Sequence, residues 1–225
     1  GPGTGNPFLY VGDIGDNERS RPHVVVYRLP EPAGAGSQAP SAGRPLTTAP
    51  AEALRLRYPD GPHDAETVLV HPGTGDLYLV TKEPSGVAGV YRAPAAVDPA
   101  TTGLLTLVAQ LRLPATPGGP PPAVTGGDVA PDGRRVALCT YVDAYELALP
   151  PGPEFASIWQ QPPVRVGLAL RQQGEAIAYR ADGEALLTTS EGLPAPLHEV
   201  ARASRTRTWS LPLRYMSDLA PTGRW

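Results

Sequence analysis

The chain has one cysteine, Cys139, so no intrachain disulfide can form. It lies in the apolar run Val136–Cys139 and reads as core filler rather than as a nucleophile. No apolar run approaches the roughly 20 residues of a membrane span. The opening residues, Gly, Pro and Thr, have neither the basic start nor the apolar core of a secretion signal. A removed signal and a fragment of a longer chain both fit that start, and an extracellular or cell-envelope location is the favoured reading. Basic charge is not in excess. The net charge is −3, and no basic stripe is interleaved with aromatics, so nucleic acid is not expected as a partner. No segment sustains a helical period, which leaves an all-β chain.

Turn formers are abundant. The chain carries 29 Pro and 25 Gly in 225 residues. Without other order, that composition suggests disorder. Here most of these residues fall between apolar runs, where turns need them.

The order is a unit that recurs four times. An acidic residue leads into an apolar run, a Gly-containing turn follows, and a second apolar run ends in a polar residue. Two further strand-like segments complete the unit. The second copy is the clearest: Asp64-Ala65-Glu66, Thr67–Val70, the turn Pro72-Gly73-Thr74-Gly75-Asp76, then Leu77–Thr81 and Lys82. Gly89–Pro94 and Leu104–Leu113 supply its outer strands. The units occupy residues 1–58, 61–114, 122–171 and 173–213 of one domain, with loop inserts at 31–50 and 114–123. Asp132-Gly133 and Asp182-Gly183 between apolar runs are hairpin signals.

Four strands per repeat over about 40–50 residues is the pattern of a β-propeller built from four-stranded antiparallel blades. The first unit lacks an innermost strand before Gly3-Thr4-Gly5. About four blades make a small ring, so the expectation is an N-terminally truncated piece of a larger propeller of about six or seven. The tail Arg214–Trp225 is short and does not alternate, which counts against it as the missing strand.

In such a blade the innermost strand lines a central channel, and the second runs antiparallel to it. The start of the first and the end of the second meet on one face. Glu66, Asp128 and Glu175 are therefore expected near one another, joined by Asp13, Lys82, Tyr141 and Glu191. Asp64, Asp16 and Asn17 lie one step further out. Crowded carboxylates raise one another's pKa unless a cation neutralises them. Oxygen-rich rings suit Ca²⁺, which takes 6–8 oxygens. A Ca²⁺ site is thus drawn from Glu66, Asp128, Glu175, Asp13, Asp16 and Asn17. The competing reading is a solvated rim with Lys82 paired to a carboxylate, and Asp16 and Asn17 shaping a tight turn.

Other chemistries lack their motifs. No Gly-x-Ser-x-Gly elbow occurs, and His23, His63, His71 and His198 lack zinc spacing. His63 is the one to watch, because it adjoins Asp64 and Glu66 and could serve as a base. The glycine-rich start has no preceding strand and no following Lys-Ser/Thr, so no nucleotide or organic cofactor is expected.

These motifs resemble a group of bacterial, actinobacterial-type WD40-like propeller proteins. The resemblance rests on Tyr10-Val11-Gly12-Asp13-Ile14-Gly15-Asp16-Asn17, Asp64-Ala65-Glu66, Thr125-Gly126-Gly127-Asp128-Val129, Gln173-Gly174-Glu175-Ala176-Ile177 and Ser190-Glu191-Gly192. It spans essentially the whole chain and implies no settled activity. In that group a further segment with its own acidic motif precedes the position of Gly1. SMP-30/gluconolactonase-like and esterase-like phytase propellers are similar in architecture, but their ligand motifs are not matched here. Two functions follow. One is a non-catalytic module binding a protein or small-molecule ligand through one face. The other is a metal-dependent hydrolase of a lactone or phosphoester, with Asp13 or Glu191 as base.

Overall fold

The computed structural model describes residues 7–32, 47–115, 117–168, 173–192 and 194–201. Gly3-Thr4-Gly5, most of the 31–50 insert, the end of the fourth unit and the tail Arg214–Trp225 lie outside them. So do residues 169 to 171 at the end of the third unit.

The described strands form four blades in chain order. Blade 1 holds β1 (Phe8–Asp13), β2 (Val24–Pro30) and β3 (Glu52–Arg57). Blade 2 holds β4 (Ala65–Val70), β5 (Leu77–Thr81), β6 (Val87–Ala93) and β8 (Thr106–Arg112). Blade 3 holds β9 (Gly126–Val129), β10 (Arg135–Cys139), β11 (Ala144–Ala148) and β12 (Val164–Val166). Blade 4 holds β13 (Gly174–Tyr179), β14 (Ala185–Ser190) and β15 (His198–Ala201). Within each blade, consecutive strands pair antiparallel, as the repeat predicts.

Two elements were not legible in the repeat. β7 (Thr102–Leu104) lies in the connection between β6 and β8, yet it pairs in parallel with β3, so blade 1 takes its outer strand from the second unit. A 3-10 helix, Phe155–Gln160, fills the connection from β11 to β12 and buries Ile158 and Trp159. Six residues of 3-10 helix are too few to show a period.

The core is a stack of three inter-blade layers, and strand alternation builds it. Leu77, Leu79 and Tyr91 of blade 2 pack on Val24, Val26, Leu54 and Leu56 of blade 1. Tyr78, Val80 and Val90, on the other face, pack on Val136, Leu138, Tyr145 and Leu147 of blade 3. Ala137, Cys139 and Ala144 turn to Ile177, Tyr179 and Leu186 of blade 4. Cys139 is fully buried, in keeping with core filler. β5 and β10 are buried along their whole length because both faces are covered. Blade 1 differs: Leu9 and Val11 of β1 and Tyr27 of β2 stay exposed on its far side.

Candidate functional site

Ala65 pairs with Thr81, Gly126 with Cys139, and Gly174 with Ser190. The starts of the inner strands and the ends of the second strands therefore share a face, as the repeat required. What each acidic residue does there depends on one detail of register. The ladder slips by one residue between Ala65 and Thr67, and again between Gly174 and Ala176. Glu66 and Glu175 are thus the extra residues of β-bulges, which re-aim a side chain out of the regular pleat. The β9–β10 ladder runs without a slip from Gly126 to Val129.

Asp128 accordingly sits inside a regular ladder, opposite Ala137, and not with the other two. Its Oδ2 accepts the backbone N–H of Tyr179 at 2.8 Å, and its Oδ1 that of Val129 at 2.8 Å. Burial raises its pKa against the pull of those donors. It joins blade 3 to blade 4 and does not complete a ring of three acids.

The remaining mouth residues come together in pairs. The Lys82 ammonium lies 2.6 Å from Glu66 and over the Tyr141 ring, 5.2 Å from its centroid. Burial pushes the Glu66 carboxyl up against the pull of Lys82, and the Glu175 charge nearby adds to the rise. Burial also opposes the Lys82 charge, but hydrogen bonding to Glu66 and Tyr141 prevails and raises its pKa. Gln173 Nε2 donates to Glu175 at 2.9 Å and to Glu191 at 2.6 Å, holding two carboxylates with one amide.

Further out, Arg21 donates to Asp13 at 2.8 Å and lowers its pKa through that hydrogen bond. Asp16 is buried and accepts the backbone N–H groups of Ser20 at 3.0 Å and Arg21 at 2.9 Å. Burial opposes its charge, yet those donors hold its pKa below the usual value. Asp16 shapes a turn, the alternative weighed from the sequence. Asp64 Oδ1 accepts the Asp16 N–H at 2.7 Å, tying blade 1 to blade 2. Among the described residues, no three His, Cys, Asp or Glu side chains gather closely enough to hold a metal ion. Five of the six residues drawn as a Ca²⁺ set, Glu66, Asp128, Glu175, Asp13 and Asp16, are thus held by separate partners, and Asn17 lines the cleft described below.

His63 sits beside this face in a network the sequence did not reveal. Its Nε2 lies 2.9 Å from the Tyr91 hydroxyl and 3.1 Å from Asp60, and its Nδ1 lies 3.4 Å from Glu83. The Tyr91 hydroxyl donates to Asp60 at 2.8 Å, and Arg19 pairs with Glu83 at 2.6 Å. Burial, then the bond to Asp60, raises the Tyr91 pKa. Tyr58 packs edge-on against both rings, with centroids 5.0 Å from His63 and 4.8 Å from Tyr91. Glu83, Tyr91 and Arg21 left no sequence signal, because the side chains they bond to, Arg19, Asp60 and Asp13, lie 64, 31 and 8 residues away.

Between the blade 1 loop and blades 2 and 3 opens a cleft of about 690 Å³. Asn17, Arg19, Asp64, Lys82, Glu83, Pro84, Ser85, Ala123 and Tyr141 line it. The loop insert Pro114–Ala123 is anchored at its start, where the Tyr145 hydroxyl donates to the Pro114 carbonyl at 2.6 Å. On the opposite face a second cleft, of about 680 Å³, is floored by Tyr78, Phe155 and Trp159.

Fold and site together define a β-propeller scaffold module with a polar, charge-paired channel mouth. No family model matches the chain, and no curated protein does. Similar solved structures include a nidogen/laminin complex, at TM-score 0.50 and 11% identity, covering 88% of this chain and 58% of that one. TolB from Acinetobacter baumannii aligns at TM-score 0.47 and 13% identity, over 89% of this chain and 42% of that one. The C-terminal WD40 domain of Sif2 aligns at 0.40 and 14%, over 63% and 38%. The chain thus spans 58% or less of each of these proteins. At 11% identity the likeness to the first of these is one of fold alone. No helix among the described residues is long and apolar enough to cross a membrane.

Proposed function

We propose that this chain is a non-catalytic binding module that takes a segment of a partner protein into the channel-mouth cleft. The observation that carries the reading is the cleft itself. It joins residues from three blades, it is large enough for several side chains, and its walls mix charged pairs with the Tyr141 ring, Pro84 and Ala123. Two of its charged pairs are internal, Lys82 with Glu66 and Arg19 with Glu83, so much of its surface is preorganised. The hydrolase alternative needs Asp13 or Glu191 as base. Asp13 is held by Arg21, with its pKa lowered, and Glu191 by Gln173.

Panning a random peptide library against the immobilised protein tests this. Enriched peptides should lose binding on Tyr141→Ala and keep it on Phe155→Ala, which alters the opposite cleft. Peptides with the reverse sensitivity would place the binding face at the other end of the channel.

A further inference from the structure

We infer that the mouth cleft is built to receive a cationic side chain, a lysine or arginine of the bound segment, with Asp64 as its counter-charge. The inference rests on the mouth being the binding face. Most charges around the cleft cancel in pairs, as Lys82 does with Glu66 at 2.6 Å and Arg19 with Glu83 at 2.6 Å. Asp64 is the exception. It is only 6% exposed, yet it lines the cleft. Its carboxylate accepts a single hydrogen bond, from Asp16 N–H to Oδ1 at 2.7 Å, and no cation pairs with it among the described residues. A buried carboxylate without a counter-ion is costly, and a ligand cation would remove that cost.

A metal ion does not fit, because no three carboxylate or imidazole side chains converge among the described residues. An ammonium or guanidinium needs fewer donors around it, and its alkyl stem needs apolar wall. Tyr141, Pro84 and Ala123 provide that wall along the same cleft.

The test uses the whole 225-residue chain and three short capped peptides, each Gly-X-Gly with X lysine, norleucine or glutamate. Amide shifts of Asn17, Ser85 and Tyr141 report binding by NMR. The lysine peptide should titrate these amides saturably, and norleucine should not. Asp64→Asn keeps an oxygen for the Asp16 N–H but drops the charge, and should weaken lysine binding at least about tenfold. Should that variant melt well below the parent, Ser85→Lys, at an exposed position, offers a second handle: a cation placed in the cleft should abolish binding. Equal binding of norleucine, or no effect of either substitution, overturns the inference. Glutamate titrating the mouth where lysine does not would sink this inference and leave mouth binding standing. Silence of all three peptides at these amides would remove both.

Discussion

The Asp128 carboxylate accepts the Tyr179 backbone N–H at 2.8 Å, across the junction of blades 3 and 4. One oxygen thus satisfies a donor on the neighbouring blade's inner strand. The same acidic lead-in that sets Glu66 beside Lys82 and Glu175 beside Gln173 makes Asp128 a cross-blade tie, because its strand has no bulge.

This tie has a pH signature. The folded pKa of Asp128 is raised, with burial the larger cause. The folded state therefore binds more protons than the unfolded one between the ordinary aspartate value and the raised value. Stability should fall as pH rises through that window and level off above it. Asp128→Asn should flatten this part of the profile, as read from urea midpoints between pH 3 and 7. An unchanged profile would mean that Asp128 titrates normally.

Gly126 should tolerate no side chain. A Cβ there would lie 2.7 Å from the Glu175 carbonyl oxygen and 3.1 Å from the Cys139 sulfur. The first neighbour is backbone of another blade and cannot swing away. Gly126→Ala should cost about 1–3 kcal/mol in urea unfolding, the usual range for overpacking. A near-neutral result would show that the blade 3–4 junction yields to a methyl group despite these short distances.

Tyr91→Phe removes the hydroxyl that donates to Asp60 and meets His63. The expected loss is about 1 kcal/mol, typical of a net hydrogen bond. In a double-mutant cycle, Asp60→Asn should lose most of its own effect once Tyr91 is Phe. Additive effects would show that the two do not act through this bond.

Millimolar Ca²⁺ against EDTA should leave the melting temperature unchanged, since the oxygen donors of the mouth are spread among local partners. A metal held only by the folded state must raise it. A rise that Glu175→Gln abolishes would restore the metal ring and the hydrolase reading with it.

The repeat made much of this molecule legible in advance. Period-two alternation, Asp-Gly turns and an acidic lead-in placed the inner and second strands of blades 2 to 4 and the face on which their ends meet. Glu66, Lys82 and Tyr141 were brought together as the unit demanded. The sequence could not show which acids reach the mouth. A bulge is one residue of register, and Asp64-Ala65-Glu66 and Gly126-Gly127-Asp128 look alike until a ladder is drawn.

Chain order alone therefore determined an all-β propeller with acidic residues ahead of its inner strands, because alternation and turn chemistry act between near neighbours. Only the tertiary structure decided which carboxylates are paired, which one holds two blades together, and which one, Asp64, stands buried without a counter-charge. Those outcomes depend on partners brought from other blades, and no local pattern encodes where a distant Arg, Lys or backbone N–H will arrive.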